Sequence, residues 1–331
     1  MTRRRFGTQP SHTDASPRRT PVSDLSSIEW TDATWNPVTG CTKVSEGCDH
    51  CYAETFAERW RGVPGHHFEH GFDVRLWPDR LTIPLTWRKP RRIFVNSMSD
   101  LFHPQISDEF IAEVFAVMIS APRHTFQLLT KRPGRMRHLL ACRDFAISAY
   151  KVAISRYDTE VRAGWPLPNV WLGVSAETQK WADIRVPVLL DTPAAVRFVS
   201  AEPLLGPVNL AVAPEALGGL DWIDLLDWVI VGGESGPRAR PMHPEWVRDL
   251  RAQCGLARTA FFFKQWGNWT PTPTPTPGPG RIAWIGADGT CDHPDAPGGC
   301  WMRQTTKKDA GRILDGRTWD QFPTLPTTIR A

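Results

Sequence analysis

The 331-residue chain has no apolar run approaching the roughly 18 residues of a membrane-spanning helix. Its arginine-bearing N-terminus lacks the apolar stretch of a secretory signal, so a cytoplasmic protein is expected. Cysteine is scarce and odd in number, seven in all, which argues against a secreted disulfide scaffold. Net charge is low as well. The total is +4, and Arg3, Arg4, Arg5, Arg18 and Arg19 against Asp14 and Asp24 put +3 of it in residues 1–27, leaving only +1 for the rest. That tail is rich in Ser, Thr and Pro and poor in apolar residues, the composition of a disordered basic leader. With 41% hydrophobic and 22% charged residues, the chain as a whole has ordinary globular usage, and its length fits two domains or one α/β barrel with insertions.

Short, nearly continuous apolar runs recur at 92–96 (RIFVN), 125–130 (TFQLLT), 170–174 (VWLGV), 195–200 (AVRFVS), 228–231 (WVIV) and 260–264 (AFFFK). Parallel strands buried on both faces read this way. Amphipathic segments at 108–120, 135–161 and 244–254 lie between them, at the spacing of strand-plus-helix units. With an earlier strand near 33–37, the pattern predicts an α/β fold: a partial (β/α) TIM-like barrel of about six parallel strands over 28–268. A doubly wound open sheet is the alternative. Alternating prolines over 269–280 predict an extended linker, followed by a small C-terminal extension at 281–331 whose stretch 305–322 reads as a basic helix ending at Gly316.

Polar groups stand directly after each run. Ser97, Ser99 and Asp100 follow the first, Lys131 and Arg132 the second, Ser175 and Glu177 the third. Glu202, Glu234 and Lys264 follow the later ones. Ligands in parallel α/β folds lie beyond the carboxyl ends of the strands, so six such ends predict one shared polar site.

Cys41, Cys48 and Cys51 fall on one loop, spaced C-x6-C-x2-C, after the first predicted strand and before a helix near Tyr52. Three thiolates on one loop suit three corners of a cubane iron–sulfur cluster, leaving a fourth iron open. Alternatively they hold zinc together with one of His50, His66, His67 or His70. Ligand arithmetic leaves both open. Cys291, His293 and Cys300 form a thinner candidate for a second metal site, and Cys254, in an amphipathic segment, reads as packing.

The segments WNPVTGC, FVNSMSDLFH, LLTKRP, WLGVSAE, SAEPLLG, VIVGGESG and FFFKQWG, with the terminal GRILDGRTWDQFP, resemble a phage-associated family of unknown function with this three-cysteine spacing. The resemblance covers about residues 28–269 and that terminal segment. The arrangement also resembles the radical S-adenosylmethionine superfamily, whose usual spacing is C-x3-C-x2-C. Here the first gap is six, and the GGE sequence follows a late strand instead of the second. That second resemblance implies a 4Fe-4S cluster on Cys41, Cys48 and Cys51 and S-adenosylmethionine on the open iron. It implies methionine-amine contacts at Ser97, Ser99 and Asp100, a carboxylate donor at Lys131 or Arg132, and ribose contacts at Ser175 and Glu177. Glu202 and Glu234 complete the expected cofactor-binding set. A flavodoxin or ferredoxin is implied as electron donor.

The expected function is a radical enzyme acting on an unidentified substrate. The competing class is a zinc-stabilised nucleic-acid-binding protein, motivated by the arginine-rich tail, sixteen tryptophans and Lys/Arg at strand ends. A near-neutral body counts against it, because neutralising phosphates needs a basic surface.

Overall fold

A computed structural model describes residues 26–160, 164–212, 219–275, 278–290 and 298–324. Its first elements are β1 (Ala33–Trp35), β2 (Val38–Thr39), α1 (Tyr52–Glu58), β3 (Arg75–Leu76), α2 (Ile83–Thr86) and β4 (Arg92–Val95). Then follow α3 (Asp108–Ser120), β5 (Thr125–Thr130), α4 (Pro133–Leu140), α5 (Arg143–Tyr157), β6 (Val170–Ser175) and α6 (Gln179–Leu190). The α/β body ends with β7 (Val196–Ala201), β8 (Trp228–Gly232), α7 (Pro244–Ala257) and β9 (Ala260–Gln265). One parallel sheet, ordered β1-β4-β5-β6-β7-β8-β9, curls into a half-barrel flanked by helices. It has seven strands, not about six. The six apolar runs and the short early strand near 33–37 together make the seven; that early strand, β1, is only three residues long and pairs Ala33 with Ile93 and Trp35 with Val95.

Strand alternation explains the continuous apolar runs. Ile93, Leu128, Leu172, Val199, Val229 and Phe263 join the large core shared with the helices. Their neighbours Phe94, Trp171, Phe198, Trp228, Ile230 and Phe262 join Trp30 in a second, aromatic cluster on the concave face. A Cβ on Gly173 would lie 2.4 Å from the Phe198 ring, so glycine is what admits that ring to the concave face. Two residues further along the same strands the inward side chains turn polar, at Ser200 and Lys264. The half-barrel thus has an aromatic floor and a polar mouth.

The remaining elements are β10 (Trp269–Thr272), β11 (Ile282–Ile285), β12 (Cys300–Gln304) and α8 (Lys307–Ala310). The three strands form an antiparallel sheet ordered β10-β12-β11. The stretch expected to be linker therefore opens as a strand. Pro271 is tolerated because β10 lies on the edge, and buried Trp269 anchors it by donating its indole N–H to Ala239 O at 2.6 Å. The helix expected over 305–322 is a single turn, ended at Gly311 with φ +67°. Beyond it the chain runs extended beside β9: Phe263 N donates to Trp319 O at 2.9 Å and Gln321 N to Phe261 O at 3.2 Å. The sheet edge is covered in this way. Phe322 then packs 5.1 Å from Trp228, with the Arg92 guanidinium 4.1 Å from its ring.

No helix among the described residues is long and apolar enough to cross a membrane. Residues 1–25, Cys291 and His293 lie outside the described residues, and with them most of the expected tail and two members of the second metal candidate.

Candidate functional site

A cavity of about 450 Å³ opens at the carboxyl ends of the parallel strands, within the usual range for small-ligand sites. Trp30, Phe94 and Leu129 give it an apolar base, and Cys41, Cys48 and Cys51 line it together. All three thiols are half-buried and free of disulfides. Their loop leaves β2 through Gly40, whose φ of +85° and approach to Asp73 O, 2.1 Å from an ideal Cβ, exclude any larger residue. Cys48 ends a single 3-10 turn and Cys51 is the N-cap of α1.

Buried charge pins this loop from beneath. Glu177, 0% exposed, accepts from Ser45 Oγ at 2.7 Å and Arg185 Nη1 at 2.7 Å, and is paired with Lys131. An ideal Cβ on Gly47 would lie 2.4 Å from the Glu177 side chain, so the loop rests on it. Burial would raise the Glu177 carboxyl, but the charges of Lys131 and Arg185 outweigh it and hold the group below its ordinary value. Glu46 accepts from Trp181 Nε1 at 2.7 Å and Thr178 Oγ1 at 3.2 Å, and its carbonyl accepts from Arg240 Nη2 at 2.8 Å.

Glu177, expected at a ribose, is placed by these contacts beneath the cysteine loop. The residue lies behind the cysteine loop, not on the cavity wall, and both its oxygens are already engaged. Lys131 pairs with it and also lines the cavity, as Arg132 does. Asp100 does line the cavity, but its oxygens accept from Thr130 Oγ1 at 2.8 Å, Phe102 N at 3.0 Å, Lys131 N at 3.1 Å and Arg132 Nη1 at 3.0 Å. Arg132 Nη1 reaches on to Cys41 Sγ at 3.3 Å, and Nη2 donates to Thr42 O at 2.9 Å. Asp100 and Arg132 together thus hold Cys41 at the cavity wall. Burial pushes the Cys41 thiol up to about 11, against the pull of Arg132, and raises Cys51 too, so both favour the thiol while metal-free.

The other expected residues do gather at the mouth. Ser97, Ser99, Ser175, Glu202 and Glu234 all line the cavity. Ser97 and Asn36 exchange side-chain hydrogen bonds at 3.2 Å, and Ser99 Oγ donates to Val38 O at 3.0 Å. Glu202 pairs with Lys264. Glu234 takes Arg240 in a two-pronged pair and lies 3.1 Å from His50 Nδ1. Burial would raise its carboxyl, and these partners hold it below its ordinary value.

Three further residues carry no site role in the sequence reading. Asn96 Nδ2, Ser200 Oγ and Gln265 Oε1 are buried with no hydrogen-bond partner, and all three residues line the cavity. Buried polar atoms are nearly always satisfied, so three orphans on residues that line one cavity are an unusual grouping. Asn96 also has φ +60°, an uncommon conformation at the end of β4. Strand-end position made these residues visible in sequence; their unpartnered state exists only in the fold.

The histidines proposed for zinc lie elsewhere or are engaged. His66 stacks 4.1 Å from Trp60, and His67 packs 4.1 Å from Trp77. No three His, Cys, Asp or Glu side chains among the described residues are set to hold one metal ion. Cys254 is buried in α7, its thiol pushed up to about 12 by burial, as a packing residue would be.

A family model described as "Protein of unknown function (DUF5131)" matches residues 25–323. The chain belongs to that family. No curated protein and no solved structure matches it. The match spans the cysteine loop, the half-barrel and the terminal segment on β9, and brings with it neither an activity nor a phage association. Function must be argued from the site.

Proposed function

We propose that the protein is a radical S-adenosylmethionine enzyme, with Cys41, Cys48 and Cys51 holding three irons of a 4Fe-4S cluster. One observation carries the reading: three free thiols on one loop line the mouth of a parallel half-barrel, in a cavity that also holds orphaned polar atoms. The loop's place at the mouth of the half-barrel, with a single C-x2-C pair, favours a cluster over a structural zinc. Around one tetrahedral zinc, with Zn–S about 2.3 Å, thiolates crowd to about 3.8 Å, whereas a cubane takes each thiolate on a different iron.

When bound and reduced, such a cluster supplies the electron that splits the sulfonium of S-adenosylmethionine into methionine and a 5′-deoxyadenosyl radical, which takes a hydrogen atom from substrate. The chain's own residues bind and orient. Asn96 Nδ2 is a donor for a carboxylate, and Gln265 Oε1 and Ser200 Oγ are acceptors for an ammonium or an adenine amino group. Trp30, Phe94 and Leu129 offer an apolar surface that keeps water from the reacting atoms. Arg132 favours the Cys41 thiolate by charge-assisted donation. A flavodoxin or ferredoxin is the expected reductant.

Anaerobic reconstitution tests this. We expect about four irons and four sulfides per chain, and, with dithionite, release of 5′-deoxyadenosine from S-adenosylmethionine. Cys48→Ala abolishes cluster assembly and Cys254→Ala leaves it intact. One tightly held zinc without sulfide overturns the proposal in favour of the zinc-stabilised nucleic-acid-binding alternative; equal iron loss in both variants overturns the ligand assignment.

The orphaned atoms make a second prediction. Ser200→Ala and Gln265→Leu should each weaken S-adenosylmethionine binding about tenfold, as loss of a hydrogen bond to a charged group does. Ser200→Ala should leave the melting temperature unchanged, because it removes only an unsatisfied buried atom, whereas Gln265→Leu also removes the Nε2 bonds to Gly233 O at 3.1 Å and Ser235 Oγ at 3.3 Å and should lower it. Isothermal titration and calorimetry on the reconstituted protein read both. A destabilised variant with unchanged affinity rejects their role.

A further inference from the structure

A second groove, about 550 Å³, runs between α1 and the loop after β8 and shares His50, Tyr52 and Ser235 with the cysteine cavity. We infer that it binds a nucleotide, an aromatic base carrying phosphate, and is the substrate side of the mouth. Only the word substrate rests on the radical reading; binding itself needs no cluster.

Two aromatic rings stand open in this groove. Tyr52 is 55% exposed and Phe56 44%, and they lie four residues apart on one face of α1. Both are held in place. The Tyr52 hydroxyl donates to Ser97 O at 2.5 Å, and Phe68 braces Phe56 edge-on, with ring centroids 5.6 Å apart at 88°. Fixed, exposed rings are suited to stacking on a base.

The charge beside them is uncompensated. Arg59, on the same helix face, and Arg238, on the opposite wall, are exposed and have no hydrogen-bond or ion-pair partner among the described residues. The carboxylates nearby are already taken. Glu54 pairs with Lys43 at 3.1 Å, Glu58 and Asp73 with Arg61 at 2.6 and 3.0 Å, and Asp49 with Arg240 at 3.5 Å. Two free guanidinium groups flanking an aromatic surface match one phosphate and its base. The groove's size and its two arginines suit a single nucleotide unit, and a near-neutral body does not favour a long polyanion.

The test is fluorescence anisotropy of methylanthraniloyl-AMP on the full chain, with and without the reconstituted cluster. Competitors are AMP, a thymidine hexanucleotide and inorganic phosphate. We expect binding in both forms, weakened about tenfold by Phe56→Ala, the scale of a lost base stack. Arg59→Glu and Arg238→Glu should weaken it at least as much, and Arg143→Glu on the far helix α5 should leave it unchanged. Stronger competition by AMP identifies a free nucleotide; stronger competition by the hexanucleotide identifies a strand. Absence of binding overturns the inference, as does binding unmoved by the three substitutions. Phosphate competing as well as AMP overturns it by reducing the groove to an anion site. Failed nucleotide binding, with slower cluster reduction by flavodoxin in the arginine variants, overturns it in favour of an acidic protein partner. Failure of the cluster reading leaves the cluster-free titration standing, so the two ideas fail separately.

Discussion

Glu177→Ala should destabilise the protein by about 3–5 kcal/mol and empty the cysteine loop of iron. The carboxylate is 0% exposed and is the counter-charge of Arg185, itself 1% exposed, and of Lys131. Removing it leaves a buried guanidinium without a partner, which costs more than an intact buried pair contributes. It also frees Ser45, three residues before Cys48, from its 2.7 Å hydrogen bond. Two consequences can be separated. Glu177→Leu combined with Arg185→Met replaces much of the buried charge by apolar volume and should recover most of the stability, as such exchanges often do. It cannot restore the tether to Ser45, so iron content should stay low. Calorimetry and iron analysis read the two effects. A Glu177→Ala protein with full iron, an unchanged melting temperature and weak S-adenosylmethionine binding would instead return the residue to the ribose.

Glu177 marks where legibility in the sequence ends. The parallel strands are legible because each is buried on both faces, so that 125–130 and 260–265 announce themselves as apolar runs without any partner being known. The mouth is legible because parallel strands all end on one side, which brings Ser97, Ser175, Glu202 and Glu234 together. What a strand-end carboxylate does there is not legible. Glu177 follows β6 whether it meets a cosubstrate or Arg185, and the choice is made by residues as distant as Ser45 and Lys131. The terminal segment fails for a related reason. After a tight turn at 314–317, residues 319–322 lie extended because β9 offers an unpaired edge and Trp228 a place for Phe322, neither of which is visible locally. The exposed pair Arg59 and Arg238 is equally silent in sequence, since 179 positions separate two residues that face one groove.

The other large effect is expected at Asp100 and Arg132. Asp100→Ala removes the acceptor of four hydrogen bonds at 2.8–3.1 Å, from Thr130, Phe102, Lys131 and Arg132. Arg132 then loses the carboxylate that aims it, and with that aim its contact to Cys41 Sγ and Thr42 O. We expect a loss of about 3 kcal/mol in stability, at the lower end for breaking a buried pair, together with reduced iron content. Arg132→Lys and Arg132→Met divide the causes. Lysine keeps the charge near Asp100 but cannot serve Cys41, Thr42 and Asp100 at once, because it lacks the planar fork. Methionine removes charge and donor together. Hydrogen bonds to cluster sulfurs and nearby positive charge both ease reduction, so the midpoint potential should fall in the order wild type, lysine, methionine. Redox titration followed by electron paramagnetic resonance measures that order, which a purely structural role would not produce. Equal potentials in all three, with lowered stability, would confine Arg132 to bracing the loop. Full iron content and stability in Asp100→Ala, with S-adenosylmethionine affinity alone reduced, would place that carboxylate on the cosubstrate after all.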